Sequence, residues 1–125
     1  MKTVVLTCLL ITVMLIKITF DFSTVCVRDK GAKISGFGGT ASGPEELANG
    51  VLMISKIIES RFGSKLRPID CLDIMNIIGS IVVAGNVRRG AEIAIGDKLD
   101  PAFLNSKAFG RGVIPNWRSM SNNTV

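Results

Sequence analysis

The order of helical and strand-like stretches is the feature that most limits the fold of this chain. Apolar side chains recur every third or fourth residue over residues 47–62 and again over residues 71–82, which predicts two amphipathic helices. Apolar and polar side chains alternate over residues 18–27 and 91–95, which predicts two strands. A further strand is expected to start near Trp117. Strands that alternate with helices in this order predict an α/β fold.

Residues of the kind that begin and end helices flank the periodic stretches. Ser42 and Glu45 match the S-x-x-E capping box, and Asp70 is the candidate N-cap of the second helix. Gly63 follows the first apolar face as a stop signal. Residues 100–107 predict a short capped helix. The second helix is expected to be buried on most sides, because Ile77 and Val83 widen its apolar face. The predicted apolar faces comprise Leu47, Val51, Ile54, Ile58 and Phe62 on the first helix and Cys71, Ile74, Met75, Ile78, Ile81 and Val82 on the second.

The apolar run Val4–Ile16 has two interpretations. Its length of about thirteen residues is that of a signal-peptide core and is too short to span a bilayer. No small-x-small cleavage site follows, and its Val, Ile and Thr residues also suit a buried strand. A cytoplasmic protein is therefore expected. The alternative is a small secreted or membrane-anchored protein, which the sequon Asn122–Thr124 would support.

The absence of histidine removes several classes of catalytic site. Ser-His-Asp triads, histidine zinc sites and imidazole acid–base catalysis all need that residue. The 15 basic and 10 acidic residues give a formal charge of +5, which suits a phosphate-binding protein and equally an ordinary basic domain. Tyrosine is absent and aromatic residues are few, so no nucleic acid partner is expected.

The three cysteines, Cys8, Cys26 and Cys71, form no C-x-x-C pair. They therefore predict neither a zinc ribbon nor a thioredoxin-type redox site. An odd number at irregular spacing fits a reduced chain better than a disulfide framework. No acid–base pair and no metal cluster is predicted from the spacing of the carboxylates Asp70, Asp73, Glu92 and Asp97.

A glycine-rich loop, residues 36–43, precedes the first predicted helix. Such loops bind phosphates because free N–H groups and the helix dipole both face the anion. The specific signatures fail, however. Pro44 and Glu45 stand where a P-loop has Lys and Ser or Thr, and Ala41 occupies the third glycine position of the dinucleotide fingerprint. Nucleotide contact and a purely structural turn both remain open from these residues.

Two adjacent arginines, Arg88 and Arg89, lie between Gly85 and Gly90 and between two apolar stretches. Gly85 is expected to end the second helix. A solvated surface pair is one interpretation of the arginines. The other is a flexible cationic loop whose guanidinium groups bind a phosphate or a base edge. Glu92 is expected to lie beside the arginines as their charge neighbour.

Three segments together resemble one enzyme family. GFGGTASGP (36–44), IGSIVVAGNVRRGAEIAIG (78–96) and SNNTV (121–125) are similar, in order and approximate spacing, to segments of the monomeric, adenosylcobalamin-dependent ribonucleoside-triphosphate reductases. The resemblance covers residues 18–125 and leaves the apolar residues 1–17 unmatched. The chain also ends on NNTV inside a predicted strand, so we expect a piece of a larger domain.

The resemblance implies a partial piece of a ten-stranded α/β barrel. It implies reduction of ribonucleoside triphosphates to deoxyribonucleotides through a cysteine thiyl radical that adenosylcobalamin generates. The expected partners are the ribonucleoside triphosphate substrate, a deoxynucleotide effector, a thioredoxin-type reductant and the remainder of the reductase chain. The family's catalytic cysteines and cobalamin-binding residues lie outside the matched part. No catalytic residue or metal ligand is therefore assigned, and the chain alone is expected to be inactive.

The resemblance also implies two effector-specificity loops. Gly90 departs from the family, which usually has Ser or Thr after the two arginines. A non-catalytic nucleotide-binding remnant is an alternative function. The first loop, expected to bind the effector, comprises Gly38, Gly39, Thr40, Ala41, Ser42 and Gly43. The second loop, expected between effector and substrate base, comprises Gly85, Asn86, Val87, Arg88, Arg89, Gly90, Ala91 and Glu92.

Overall fold

In the computed structural model of the chain, residues 3–12, 14–36, 38–82, 92–108 and 112–124 are described. The strands are β1 (Thr3–Thr12), β2 (Met14–Ser23), β3 (Glu92–Ile95) and β4 (Ser121–Thr124). The helices are α1 (Pro44–Glu59), α2 (Pro68–Ile81) and α3 (Pro101–Leu104), and a 3₁₀ helix spans Asn116–Met120.

The N-terminal strands form an antiparallel hairpin in which Thr3 pairs with Ser23 and Thr12 with Met14. The β-branched residues of this stretch favour extended backbone. The strand predicted over residues 18–27 was wrong in its bounds, since β2 already begins at Met14 and ends at Ser23. Within the described part of the chain, no helix combines the length and the apolar character needed to cross a lipid bilayer.

The strands β3 and β4 form a parallel pair, with Glu92 opposite Ser121 and Ile95 opposite Thr124. A parallel pair needs a crossover connection, which here runs through α3 and the 3₁₀ helix. Helices combined with a small parallel sheet agree with the predicted α/β class. The ten-stranded barrel stays a prediction.

The C-terminal elements follow the predicted order with different bounds. The strand predicted at 91–95 is confirmed as β3, whereas the strand expected near Trp117 begins only at Ser121, because the 3₁₀ helix occupies the residues between. Asp100 caps α3 as predicted, since its carboxylate accepts from the N–H of Ala102 at 2.9 Å. The helix that follows ends at Leu104, sooner than expected.

α2 buries only some sides of the broad apolar surface that was predicted. Ile77 is 1% exposed, whereas Met75 is 55% exposed. Apolar residues lie on most sides of this helix, so periodicity alone does not choose the buried face. From the predicted apolar face the structure exposes Cys71, Met75, Ile78 and Val82, and in α2 it buries Ile69, Asp70, Leu72, Asn76, Ile77 and Gly79.

The elements that pack against α2 determine which of its faces is buried. Leu72 and Ile69 form a core cluster with Phe103 of α3. On the other side, a Cβ at Gly50 of α1 would overlap the side chain of Ile81, so this glycine lets α1 and α2 pack closely. Contacts on both sides leave Cys71, Met75 and Ile78 outside the core.

Asp70 stabilises the start of α2 from its third position. Arg67 is the N-cap residue, and its backbone N–H donates to Asp70 Oδ2 at 2.9 Å. The Arg67 side chain donates to both carboxylate oxygens, and Arg61 Nε lies 2.8 Å from Oδ2. The predicted role of Asp70 as N-cap was therefore wrong. The hydrogen bond from the Arg67 side chain is the main cause that lowers the pKa of Asp70 from 3.8 to about 2.

A largely buried ion pair connects α2 to the C-terminal segment. Arg118 donates through Nε to Asp73 Oδ1 at 2.6 Å and through a terminal nitrogen to Oδ2 at 2.7 Å. Trp117 Nε1 donates to the same Oδ1 at 3.1 Å, and Arg118 also donates to the Ser106 carbonyl at 3.0 Å. The hydrogen bond with Asp73 raises the pKa of Arg118 above its ordinary value. The pair holds the 3₁₀ helix, and β4 after it, against α2.

Acid should destabilise the chain through Asp70. Because the folded-state pKa of this carboxyl lies below 3.8, its charge stabilises the folded chain above that pH, and the stabilisation is lost as the pH falls towards about 2. In Asp70→Asn we expect a lower free energy of unfolding at neutral pH and no such loss on acidification. Urea unfolding at several pH values, followed by circular dichroism, measures both effects.

The matched control for this experiment is Asp29→Asn, which removes an exposed carboxylate elsewhere. It should keep the acid sensitivity of the unchanged chain. Equal acid sensitivity in Asp70→Asn and the unchanged chain would show that the Asp70 carboxylate is not the source of that sensitivity.

Removing Asp73 should strongly destabilise the chain. The Asp73 and Arg118 side chains are 13% and 17% exposed, and Asp73→Ala leaves the guanidinium with no carboxylate at this position. We expect a loss of roughly 3 kcal/mol in the free energy of unfolding, as for other broken buried pairs. Glu46→Ala is the control, since its 4.0 Å pair with Lys30 is exposed. It should cost about 1 kcal/mol or less. Similar losses of unfolding free energy in the two variants would contradict the stabilising role assigned to the buried pair.

Candidate functional site

The first predicted loop forms one side of a short antiparallel ladder. The N–H of Ala41 donates to the Ala32 carbonyl at 2.8 Å, and the N–H of Gly31 donates to the Ala41 carbonyl at 3.0 Å. The chain therefore folds back on itself directly before α1. This ladder holds residues 39–42 in an extended path beside residues 31–34.

Two glycines form the tip of the ladder. Gly38 has φ 69° and Gly39 has φ 79°, a left-handed conformation that residues with a Cβ rarely adopt. The N–H of Ile34 donates to the Gly39 carbonyl at 3.0 Å. Lys33 and Thr40 face each other across an isolated β-bridge. An exposed ammonium and a hydroxyl group are thus carried by directly opposed residues of the loop.

α1 begins at a glycine. Gly43 is the N-cap residue, with φ 92°, and no side chain caps the helix. The predicted capping box of Ser42 and Glu45 was therefore wrong, because Ser42 lies one residue before the N-cap. A Cβ at Gly43 would lie 2.9 Å from the Cβ of Lys30, so the backbone conformation and the lack of space both require glycine.

The hydroxyl of Ser42 bonds to a different helix. Ser42 Oγ donates to the carbonyl of Ile81 at 2.9 Å, and the bond is partly buried. Ile81 is the last residue of α2. The carbonyls of a last helical turn have no partner within their own helix, so the hydroxyl satisfies one of them. The first loop is thereby attached to the C-terminal end of α2.

The last turn of α2 also lies beside the end of the second predicted loop. Glu92, the final residue of that loop, opens β3, and a Cβ at Gly79 would overlap its carboxylate. The residues from Gly85 to Ala91, including Arg88 and Arg89, lie outside the described residues. The structure therefore brings together Ser42 of the first loop, the end of α2 and Glu92.

Glu92 places a carboxylate in a partly buried position. Its Oε2 is buried and has no hydrogen-bond partner among the residues that the structure describes. An unpaired acceptor of this kind is costly. The predicted role of Glu92 as charge neighbour of Arg88 and Arg89 stays a prediction.

The charges around the first loop have mixed sign. Lys30 Nζ lies 4.0 Å from Glu46 Oε1, and both side chains are exposed. Glu45 and Glu46 occupy the first turn of α1, where they disfavour an anion placed directly on the helix axis. The ladder tip, which carries the exposed Lys33, is the better place for an anion.

An apolar cavity of about 550 Å³ lies between α2 and β3. Its walls include Leu72, Met75, Ile93 and Phe103. The chain has no histidine to coordinate cobalt, and the polar side chains that line the cavity are Cys71, Glu92 and Ser121. This mostly apolar lining does not fit a cobalamin site.

Catalytic groups are likewise not assembled within the described residues. Cys26 and Cys71 are exposed and free, and no three Cys, Asp or Glu side chains there converge on a point that could bind a metal ion. Sequence reasoning missed the partner of Asp73. Its ion pair with Arg118 spans 45 positions, and no local pattern indicates such a contact.

Comparison with known proteins identifies enzymes that are similar to this chain. Over 109 residues the chain is 45% identical to an adenosylcobalamin-dependent ribonucleoside-triphosphate reductase of Lactobacillus acidophilus and 44% identical to one of Levilactobacillus brevis. The identity to the reductase of the same name from Lactobacillus leichmannii is 42%. No protein-family model and no solved structure matches the chain.

The matches cover most of this chain and a small part of each relative. Each includes 87% of this chain and 14% of the relative's length. Identity at this level over 109 residues indicates common ancestry and confirms the resemblance of the glycine-loop and arginine-loop sequences. Over most of its length, this chain is therefore homologous to one segment of the adenosylcobalamin-dependent ribonucleoside-triphosphate reductases.

Proposed function

We propose that this chain is part of an adenosylcobalamin-dependent ribonucleoside-triphosphate reductase and carries two nucleotide-binding loops of that enzyme. The whole protein reduces ribonucleoside triphosphates to deoxyribonucleotides in the cytoplasm by a thiyl radical mechanism that the cobalamin initiates. The remainder of the chain completes the barrel, supplies the catalytic thiols and binds the cobalamin. A thioredoxin-type reductant restores the thiols after each turnover.

The observation that carries this proposal is the 45% identity over 109 residues to a reductase named for this activity. The match covers 87% of the chain, so it includes far more than the two loops. A small secreted or membrane-anchored protein has no comparable support. The alternative is a nucleotide-binding remnant without catalysis. An assay of ribonucleotide reduction by the protein that contains this segment distinguishes the two functions.

The first loop, Gly38 to Gly43, is the proposed effector site. Its support is the ladder tip, where the exposed Lys33 can bind phosphate oxygens. The hydroxyl of Thr40, opposite Lys33 in the ladder, is a further possible donor. An effector held here lies close to the end of α2, because Ser42 connects the loop to Ile81.

The second loop, Gly85 to Glu92, is the proposed reader of the base. Arg88 and Arg89 carry guanidinium groups that form directional hydrogen bonds with phosphates and base edges. Gly85 and Gly90 give this loop the conformational freedom to differ between bound effectors. Effector identity would then select the base that is reduced.

The proposal is tested by removing both arginines. We expect Arg88→Ala combined with Arg89→Ala to weaken deoxynucleoside triphosphate binding by about tenfold and to reduce the differences in Kd among the four nucleotides, because the base-reading groups are lost. The midpoint of thermal unfolding should change little. Isothermal titration of the chain with dATP, dGTP, dCTP and dTTP measures the binding.

The matched control combines Lys65→Ala with Lys98→Ala, which removes the same charge from two exposed positions outside the loops. This control should change each Kd less than twofold. Equal weakening in both double variants would show that net charge, and not the arginine loop, governs binding. Failure of the unchanged chain to bind any of the four nucleotides would refute the proposed loops.

A further inference from the structure

We propose that Ser42 is a positioning residue that couples the glycine loop to the end of α2, so that a nucleotide bound at the loop changes the helix end from which the second loop departs. This inference rests on the proposed function. It assigns a specific contact to the transfer of information between the two loops.

The contact joins two parts of the chain that are far apart in sequence. Ser42 Oγ donates to the Ile81 carbonyl at 2.9 Å across 39 positions. Ser42 lies next to Gly43 and within the predicted effector loop, while Ile81 ends α2 immediately before Val82. One hydroxyl group therefore connects the two elements that the proposal requires to communicate.

The surroundings of this hydrogen bond are closely packed. Gly43 has no room for a Cβ because of Lys30, and Gly50 has none because of Ile81. Closely packed groups transmit a displacement because they have little free volume to absorb it. A shift of Ser42 is therefore passed to the Ile81 carbonyl rather than lost in a gap.

The far end of the second loop meets the same helical turn. The Glu92 carboxylate lies against Gly79, two residues before Ile81. A change in the last turn of α2 therefore reaches both residues that flank residues 83–91. Ser42 is the only side chain among the described residues of the first loop with a hydrogen bond to α2.

The local sequence supports a role beyond helix capping. Serine is a strong N-cap residue, and its usual partner would be a free N–H of the first turn. Here the N-cap is Gly43, without a side-chain cap, and the neighbouring hydroxyl bonds to α2 instead. The hydroxyl thus links two helices where it could have stabilised one.

The test is nitrogen-15 NMR of the 125-residue chain titrated with dATP, dGTP, dCTP and dTTP. The readout is the amide of Val82, whose nitrogen is bonded to the carbonyl carbon of Ile81 and whose shift therefore reports that carbonyl's hydrogen bond. In the unchanged chain we expect nucleotide binding to shift this amide. With each chain saturated with nucleotide, we expect at least a twofold smaller shift in Ser42→Ala than in the unchanged chain.

Two further variants separate coupling from a general structural effect. Ser42→Thr keeps the hydroxyl and should restore the Val82 response. Ser60→Ala removes a similar hydroxyl-to-carbonyl bond, to Ile57 at the other end of α1, and should behave as the unchanged chain does.

The outcomes distinguish this inference from the proposed function. An unchanged Val82 shift in Ser42→Ala overturns the inference and leaves the proposed function standing. A difference in shift that disappears once Ser42→Ala is saturated with nucleotide also overturns it, since Ser42 would then act only as a ligand contact. If Ser42→Ala fails to fold, Ser42→Thr decides: a diminished response despite its hydroxyl overturns the inference. Absence of nucleotide binding by the unchanged chain overturns both.

Discussion

The packing of α2 against four other elements is the constraint on which the described structure depends. Gly50 lets α1 approach on one side, and Leu72 packs against α3 through the core cluster. Asp73 holds the 3₁₀ helix, and Gly79 leaves room for the first residue of β3. Small, charged and apolar residues each occupy a different side of the helix. Because the contacts face different directions, α2 cannot turn or slide without disturbing several of them.

The glycine loop and the end of α2 form one structural unit. Glycines at the ladder tip permit the tight reversal, and Gly43 permits the close approach to Lys30. Ser42 then joins this loop to Ile81. A loop that is well held at its base and open at its tip suits the recognition of a ligand whose identity must be passed on. This division fits the proposed role of the chain as a regulatory segment of a larger enzyme.

Local sequence signals succeeded where their partners are near in the chain. Asp100 caps α3 through N–H groups two and three residues later, and its capping role was predicted. Signals of the same kind failed at Ser42 and Asp70. At Ser42 the Ile81 carbonyl, from another helix, accepts from the hydroxyl, whereas Asp70 still bonds locally, to the N–H and side chain of Arg67, but from the third helical position. A capping residue follows its local preference only when no stronger partner is brought to it by the fold.

The sequence by itself determined the order of the helices and β3, the position of the glycine loop and the similarity to a reductase segment. These features follow from periodicity and short motifs, which depend on neighbouring residues. Only the tertiary structure decided that Ile77 is buried while Met75 is exposed. It alone paired Asp73 with Arg118 and Ser42 with Ile81, across 45 and 39 positions. Such pairs form because whole helices and strands pack against one another, and the free energy of that packing cannot be inferred from a short stretch of sequence.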